Sequence, residues 1–211
     1  MAKLISFIGV SGAGKTSLVR ALNHKNEFAL GLESHAERPF QALFKRDPRY
    51  ALANQIDFLL YRAEQERDLR LDPRPALVDG GLDLDFHGFT RLFHARGWLT
   101  DPEFDLIRRL YLLVRGLDTS ENHTRPTRPP LLPPPDLIVH LSASDEAIRA
   151  RLAARERINI ASAADASLLG TFLEEWQATV PRERVLRLDV TREPLDFSQC
   201  IPVILARIHS R

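Results

Sequence analysis

Leu4-Ile5-Ser6-Phe7-Ile8-Gly9-Val10-Ser11-Gly12-Ala13-Gly14-Lys15-Thr16 decides how the chain is read. The short apolar run from Leu4 to Gly9 has the pattern of a strand buried on both faces. It leads directly into G-x-x-x-x-G-K-[ST], the Walker A or P-loop pattern, with a helix expected from Lys15 to about His24. Strand before and helix after is the context the motif needs. Its glycines let backbone N–H groups turn toward phosphate oxygens, and the helix N-terminus adds partial positive charge. Lys15 is then expected to reach the β- and γ-phosphates, and the Thr16 hydroxyl to ligate Mg²⁺. The expected nucleotide-binding residues are Gly9, Ser11, Gly12, Ala13, Gly14, Lys15, Thr16 and Ser17, with ATP and Mg²⁺ as cofactors.

Working outward, four further strands are expected at Phe28–Leu32, Ala76–Asp79, Asp136–Leu141 and Val185–Val190. Between them, Asp47-Pro48 reads as an N-cap with proline at the first helical position, opening a helix to about Leu69. Leu52, Ile56, Leu59, Leu60 and Ala63 recur along it at helical spacing. Further helices are expected at Leu84–Arg96, at Pro102–Arg115 behind an Asp101-Pro102 cap, after Ser144, at Ala166–Gln177 and at Phe197–Ile208. Thr124 to Pro135 holds six of the fourteen prolines and reads as a connector into the fourth strand. Strands alternating with helices predict an α/β three-layer sandwich: a five-stranded parallel sheet with helices on both faces. There is no internal repeat, and residues 1–211 are expected to form one domain with an arginine-rich lid at about 151–165.

Composition narrows the function classes. The 29 Lys and Arg nearly balance the 28 Asp and Glu, so no global basic field points to nucleic acid. No apolar run approaches the ~18 residues of a membrane span. The lone Cys200 cannot form an internal disulfide and is expected to be a buried small hydrophobe, which suits a reducing cytoplasm. His87, His94 and His123 show no metal-ligand spacing. Ser142-Ala143-Ser144-Asp145 is not the N-K-x-D base-recognition element of small GTPases, which leaves mainly the kinase branch of P-loop proteins.

Several side chains have spacings that suit an acceptor site. Asp79 closes the third strand as a Walker-B-like acid and joins Thr16 as an expected Mg²⁺ holder. Glu33 follows the second strand, and ligands of open parallel sheets bind beyond such strand ends. A carboxylate there can orient an acceptor hydroxyl and take its proton. Gln55 and Arg62 stand seven residues apart, close to two turns, so they share one helix face about 10 Å apart along the axis. A glutamine amide both donates and accepts, which suits the edge of a nucleobase. Arg151 and Arg155 lie four apart in Arg151-Leu152-Ala153-Ala154-Arg155-Glu156-Arg157, a stretch suited to meeting polyphosphate.

From the P-loop to about Trp176 the sequence resembles the deoxyribonucleoside kinase family of P-loop kinases. Glu33, Pro39, Phe40, Phe44, Asp47-Pro48, Gln55, Arg62, Asp79, Asp85 and the 151–157 arginines stand in that family's register. The resemblance implies transfer of the γ-phosphoryl of ATP to the 5′-hydroxyl of a nucleoside. It makes Glu33 the base, and Lys15, Arg151, Arg155 and Arg157 the charge stabilisers. Gln55, Arg62 and Asp85 would read the nucleobase, and a homodimer is expected. Two departures stand out: Gly80-Gly81 replaces the family's Arg-Ser pair, and Ile160 replaces an acid that holds the sugar. Two alternatives therefore stay open: a kinase for another small acceptor such as a nucleoside monophosphate, and an ATP-binding regulatory protein without catalysis.

Overall fold

The computed structural model describes residues 2–25, 27–32, 37–117, 129–153, 163–194 and 196–210. Its strands are β1 (Leu4–Ile8), β2 (Ala29–Gly31), β3 (Ala76–Asp79), β4 (Leu137–Ser142) and β5 (Val185–Asp189). They form one parallel sheet in the order β2-β3-β1-β4-β5. The helices are α1 (Lys15–Lys25), α2 (Pro39–Phe44), α3 (Ala51–Leu71), α4 (Leu82–Leu84), α5 (Arg91–Ala95), α6 (Asp101–Arg115), α7 (Asp145–Ala153), α8 (Ala163–Gln177) and α9 (Cys200–His209).

β1 is central and buried throughout, as a run that is apolar except for Ser6 requires. Its alternate residues face two cores. Ile5 and Phe7 join Leu18, Leu22, Ile201 and Ile204 of α1 and α9 on one side. Leu4 packs with Leu69 of α3, and Ile8 with Leu169 and Leu173 of α8, on the other. This is the expected three-layer sandwich. A further core among the helices, around Phe44, Leu59, Phe86, Phe93 and Ile107, supports the sheet's second face. Cys200 is buried as expected; burial, aided by Glu193, pushes its thiol up to about 12.

The structure corrects several expected boundaries. Asp47 does cap, accepting from Arg49 N at 2.9 Å, but it caps a 3₁₀ turn, Pro48–Tyr50, and α3 begins only at Ala51. Before α6 the cap is Thr100, which exchanges hydrogen bonds with Glu103 in a capping box; Asp101 is the first helical residue. Ser144 caps α7 as read, accepting from Ala147 N at 3.2 Å. The stretch expected as one helix from Leu84 starts at Leu82 and is π-helical over Asp85–Thr90. Such widened turns recur at functional sites.

α3 differs most from its apolar spacing. Leu60 is exposed, and the buried side carries Asn54, Gln55, Arg62, Glu66 and Arg70 beside Leu59 and Leu69. Polar partners offset most of this burial, although Asn54 Oδ1 has none among the described residues. Arg70 donates to the carbonyls of Pro133 and Pro134 at 3.1 and 2.9 Å, so the proline connector, short of N–H donors, serves as an acceptor surface.

α8 packs across the π-helical segment. His87 stacks on Trp176 with ring centroids 4.8 Å apart, and its Nε2 lies 3.0 Å from the Tyr111 hydroxyl. Arg91 lies over Phe172 and pairs with Glu175, and Arg96 pairs with Asp165. Burial, with Arg91 and Arg115 nearby, pushes His87 down to about 3 against the pull of Asp83. The folded imidazole therefore stays neutral, while the unfolded chain takes up a proton below about pH 6.5. Stability should then fall by at most about 1.4 kcal/mol per pH unit from 6.5 downward on account of this residue. Urea midpoints at pH 7 and pH 5 should separate less in His87→Phe than in the wild type; equal separations would contradict this.

Candidate active site

The phosphate loop is shaped by its neighbours. Gly9 has φ 141°, and a Cβ there would fall 2.4 Å from the Leu141 carbonyl of β4, so no side chain fits where the loop leaves β1. Ile148 and Leu152 of α7 pack on Gly12. Ala13 is fully buried, whereas Ser11, Lys15 and Thr16 are half-buried and Ser17 is exposed. Lys15 Nζ donates to the carbonyls of Gly9 and Val10 at 2.9 and 3.1 Å, so the ammonium lies back over the loop. Arg151, near the end of α7, donates to the Val190 carbonyl at 2.6 Å and reaches Ala13 O at 3.5 Å. Its guanidinium therefore sits against the loop's own backbone.

β3 pairs with β1 so that Asp79 is opposite Phe7, and Thr16 Oγ1 donates to Asp79 Oδ2. A hydroxyl and one carboxylate in contact suit Mg²⁺, which keeps waters and phosphate oxygens as its other ligands. Among the described residues, no three or more His, Cys, Asp or Glu converge to hold a metal ion by themselves.

Gly80 and Gly81 follow with φ of 90° and 100°, and Ser6 Oγ holds the Gly80 carbonyl at 2.6 Å. A Cβ on Gly80 would stand 3.3 Å from Arg62 Nη2, and one on Gly81 would stand 3.1 Å from Glu66 Oε1. The space a side chain would need at Gly80 is thus taken by the Arg62 guanidinium. Arg62 Nε donates to Asp85 Oδ2 at 2.8 Å, with both side chains almost wholly buried. Gln55, on the same buried face of α3, meets Thr90 Oγ1 at 3.0 Å. Polar contacts thus link Thr16 to Asp79 on one side of the Gly80 turn, and Arg62, Asp85, Thr90 and Gln55 to one another on the other. Ahead of α3, Arg38 forks onto Asp57 with both bonds at 2.6 Å, fixing the start of α2 at Pro39; Phe40 remains partly exposed. Glu33, Arg155, Arg157 and Ile160 lie outside the described residues.

Beneath this cluster is a buried charge network that the sequence did not reveal. Arg115 Nε donates to Asp83 Oδ1 at 2.8 Å, and Arg115 Nη1 donates to Glu66 Oε2 at 2.9 Å. Glu66 Oε1 also accepts from Leu82 N, and Asp83 accepts from the Tyr111 hydroxyl. Burial opposes the charge on Arg115, but Asp83 and Glu66 outweigh it and hold the guanidinium firmly protonated. Burial beside Asp83 likewise raises Tyr111 well above the usual phenol range. Glu66 falls eleven residues after Gln55, on the same side of α3, and that spacing was the one available signal. An open cleft beside β2, lined by Leu30, Tyr61, Glu64, Gln65, Asp68 and Arg74 among others, touches this cluster through Gln65, which accepts from Arg62.

The sheet order, the layers and the glycine loop between β1 and α1 together give a three-layer α/β P-loop fold. The fold is similar to that of deoxyadenosine kinase from M. mycoides in several bound forms. With the products dCMP and a flexible dCDP, that structure matches at TM-score 0.76 and 17% identity, over 99% of this chain and 100% of the other. The dATP-bound form matches at TM-score 0.74 and 18% identity, over 97% and 98%. The dCTP-bound form matches at TM-score 0.71 and 16% identity, over 99% and 100%. No protein-family model and no curated protein sequence matches the chain.

Arg115→Met would leave Glu66 and Asp83 buried without their shared counter-charge. The expected cost is about 3–5 kcal/mol, read from urea unfolding at neutral pH. A loss below about 1 kcal/mol would mean that the two carboxylates do not depend on Arg115.

Proposed function

We propose that the chain is an ATP- and Mg²⁺-dependent kinase that phosphorylates the 5′-hydroxyl of a nucleoside or deoxynucleoside. One observation carries the reading: the Arg62 guanidinium, paired with buried Asp85, lies beside the Gly80 turn that directly follows Asp79, the partner of Thr16 in the phosphate loop. The likeness in fold to a deoxyadenosine kinase with bound deoxynucleotides supports it.

In this reading the loop from Gly9 to Ser17 binds the triphosphate through its backbone N–H groups. Lys15 leaves its carbonyl partners for the β- and γ-phosphates. Thr16 and Asp79 hold Mg²⁺, which supplies positive charge to the phosphate oxygens. Glu33 takes the proton of the 5′-hydroxyl as that oxygen bonds the γ-phosphorus and the bridging β–γ oxygen leaves. Arg151, Arg155 and Arg157, in a lid over about 151–165, offset charge on the transferring group. Gln55, Arg62 and Asp85 hold the base.

Residues 1–211 act as a single domain. Among the described residues no helix is long and apolar enough to cross a membrane, and a cytoplasmic protein with a small-molecule acceptor, not a nucleic acid, fits the balanced charge. Exposed Leu60 on α3 and exposed Leu106 and Leu113 on α6 suit a homodimer. The bare Gly80-Gly81 turn favours a second reading, a kinase for another small acceptor such as a nucleoside monophosphate.

Incubation with ATP, Mg²⁺ and each of the four deoxynucleosides and their ribose counterparts, analysed by product mass, should yield a nucleoside monophosphate. ATP binding without any such product would turn the reading to the other acceptor or to a non-catalytic protein. Glu33→Gln should lower kcat by about 10²–10⁴ with little change in KM; near-wild-type turnover would remove Glu33 as the base. Lys15→Ala should weaken ATP binding or turnover at least about tenfold, and an unchanged enzyme would end the phosphate-loop argument.

A further inference from the structure

Thr90 closes the π-helical segment and is 0% exposed. Its Oγ1 stands 3.0 Å from Gln55 Oε1 and 3.1 Å from the backbone carbonyl oxygen of Asp85. A hydroxyl carries one proton, so with two oxygens facing it only one of these contacts is a hydrogen bond. The other is an oxygen–oxygen contact with no proton between. A half-turn of the Gln55 amide exchanges its oxygen and nitrogen and moves nothing else. The nitrogen then donates to Thr90 Oγ1, Thr90 donates to the Asp85 carbonyl, and both contacts become hydrogen bonds. The amide oxygen and one N–H are then free of Thr90.

We propose that Thr90 is a positioning residue that locks Gln55 with its carbonyl oxygen toward the base of the acceptor. The inference deepens the kinase reading and rests on it. A base then needs an exocyclic amino group to donate to that oxygen and an adjacent ring nitrogen to accept the remaining amide N–H. Adenine and cytosine carry this pair. Guanine has such a pair only at its amino group and N3, on the edge beside the sugar. On the Watson–Crick edge guanine and thymine present a carbonyl and a protonated ring nitrogen, which sets oxygen against oxygen and N–H against N–H. Asp85 acts in the same sense, because its carboxylate, held by Arg62, only accepts. The π-helical widening lets this happen: it turns Asp85 toward Arg62 and Thr90 toward Gln55 within six residues.

The test is kcat and KM for deoxyadenosine, deoxycytidine, deoxyguanosine and thymidine, with ATP and Mg²⁺, in the wild type, Thr90→Val and Thr90→Ser. The thermal midpoint of each protein is measured alongside. Valine keeps the shape and loses the hydroxyl; serine keeps the hydroxyl. The wild type should favour deoxyadenosine or deoxycytidine. Thr90→Val should lose about tenfold of that preference, mainly through KM, and Thr90→Ser should retain it. Thr90→Ala serves as a second hydroxyl-free variant with the same expected loss if valine does not fold. A wild-type preference for deoxyguanosine or thymidine overturns the inference and leaves the kinase reading standing. So does a preference in a folded hydroxyl-free variant within twofold of the wild type. Absence of turnover by the wild type on every nucleoside overturns both.

Discussion

Arg115 is the shared counter-charge of two buried carboxylates, and the C-terminal end of the sheet is built around that arrangement. Glu66 comes from the C-terminal half of α3 and Asp83 from α4, while Arg115 ends α6. Either carboxylate alone in this setting would carry a large desolvation cost, and the pairing with hydrogen bonds offsets it. Because Glu66 also holds Leu82 N and faces Gly81, the pairing fixes the backbone immediately after Asp79. The same Nη1 that meets Glu66 also lies within reach of the carbonyls of Leu132 and Pro133, which ties the approach to β4 to the same point.

Above that foundation the phosphate loop and the Arg62–Asp85 pair meet at a turn without side chains. A larger residue at Gly80 would compete with Arg62 for the same volume. Arg62 is correspondingly placed to serve two neighbours, the Asp85 carboxylate and Gln65 Oε1 at 3.1 Å. A guanidinium suits this role because its donors lie in one plane and diverge at fixed angles. Rigid support of this kind, with polar groups paired before any ligand arrives, is what preorganised sites require.

The legible features were those written in short stretches of sequence. Walker A is contiguous, strands such as Leu4–Ile8 announce themselves by an apolar run, and caps such as Ser144 act over three residues. The seven-residue spacing of Gln55 and Arg62 put both on one face of α3, and both are on its buried face. The apolar spacing of that helix misled at Leu60, because its neighbours bury charge that is neutralised from far along the chain. Arg115 lies 49 residues from Glu66 and 32 from Asp83, and no local pattern records such pairings. The π-helical segment was equally hidden: six positions are too few for apolar spacing to tell a widened turn from an ordinary one. Thr90 looked like any threonine in a helix until the fold set it against Gln55.

The same long-range pairings set an order for assembly. When α3 leaves the ribosome, Glu66 has no counter-ion, and the strand that completes the sheet beside β1 is not yet synthesised. The backbone of Leu4 is held by Asp136, 132 positions away. Contacts of this span are slow to close, and exposed edges invite misassembly in the interval. The nascent N-terminal half therefore cannot settle by itself; it must wait for α6 and β4, so a chain truncated before them would emerge as a substrate for chaperones and proteases.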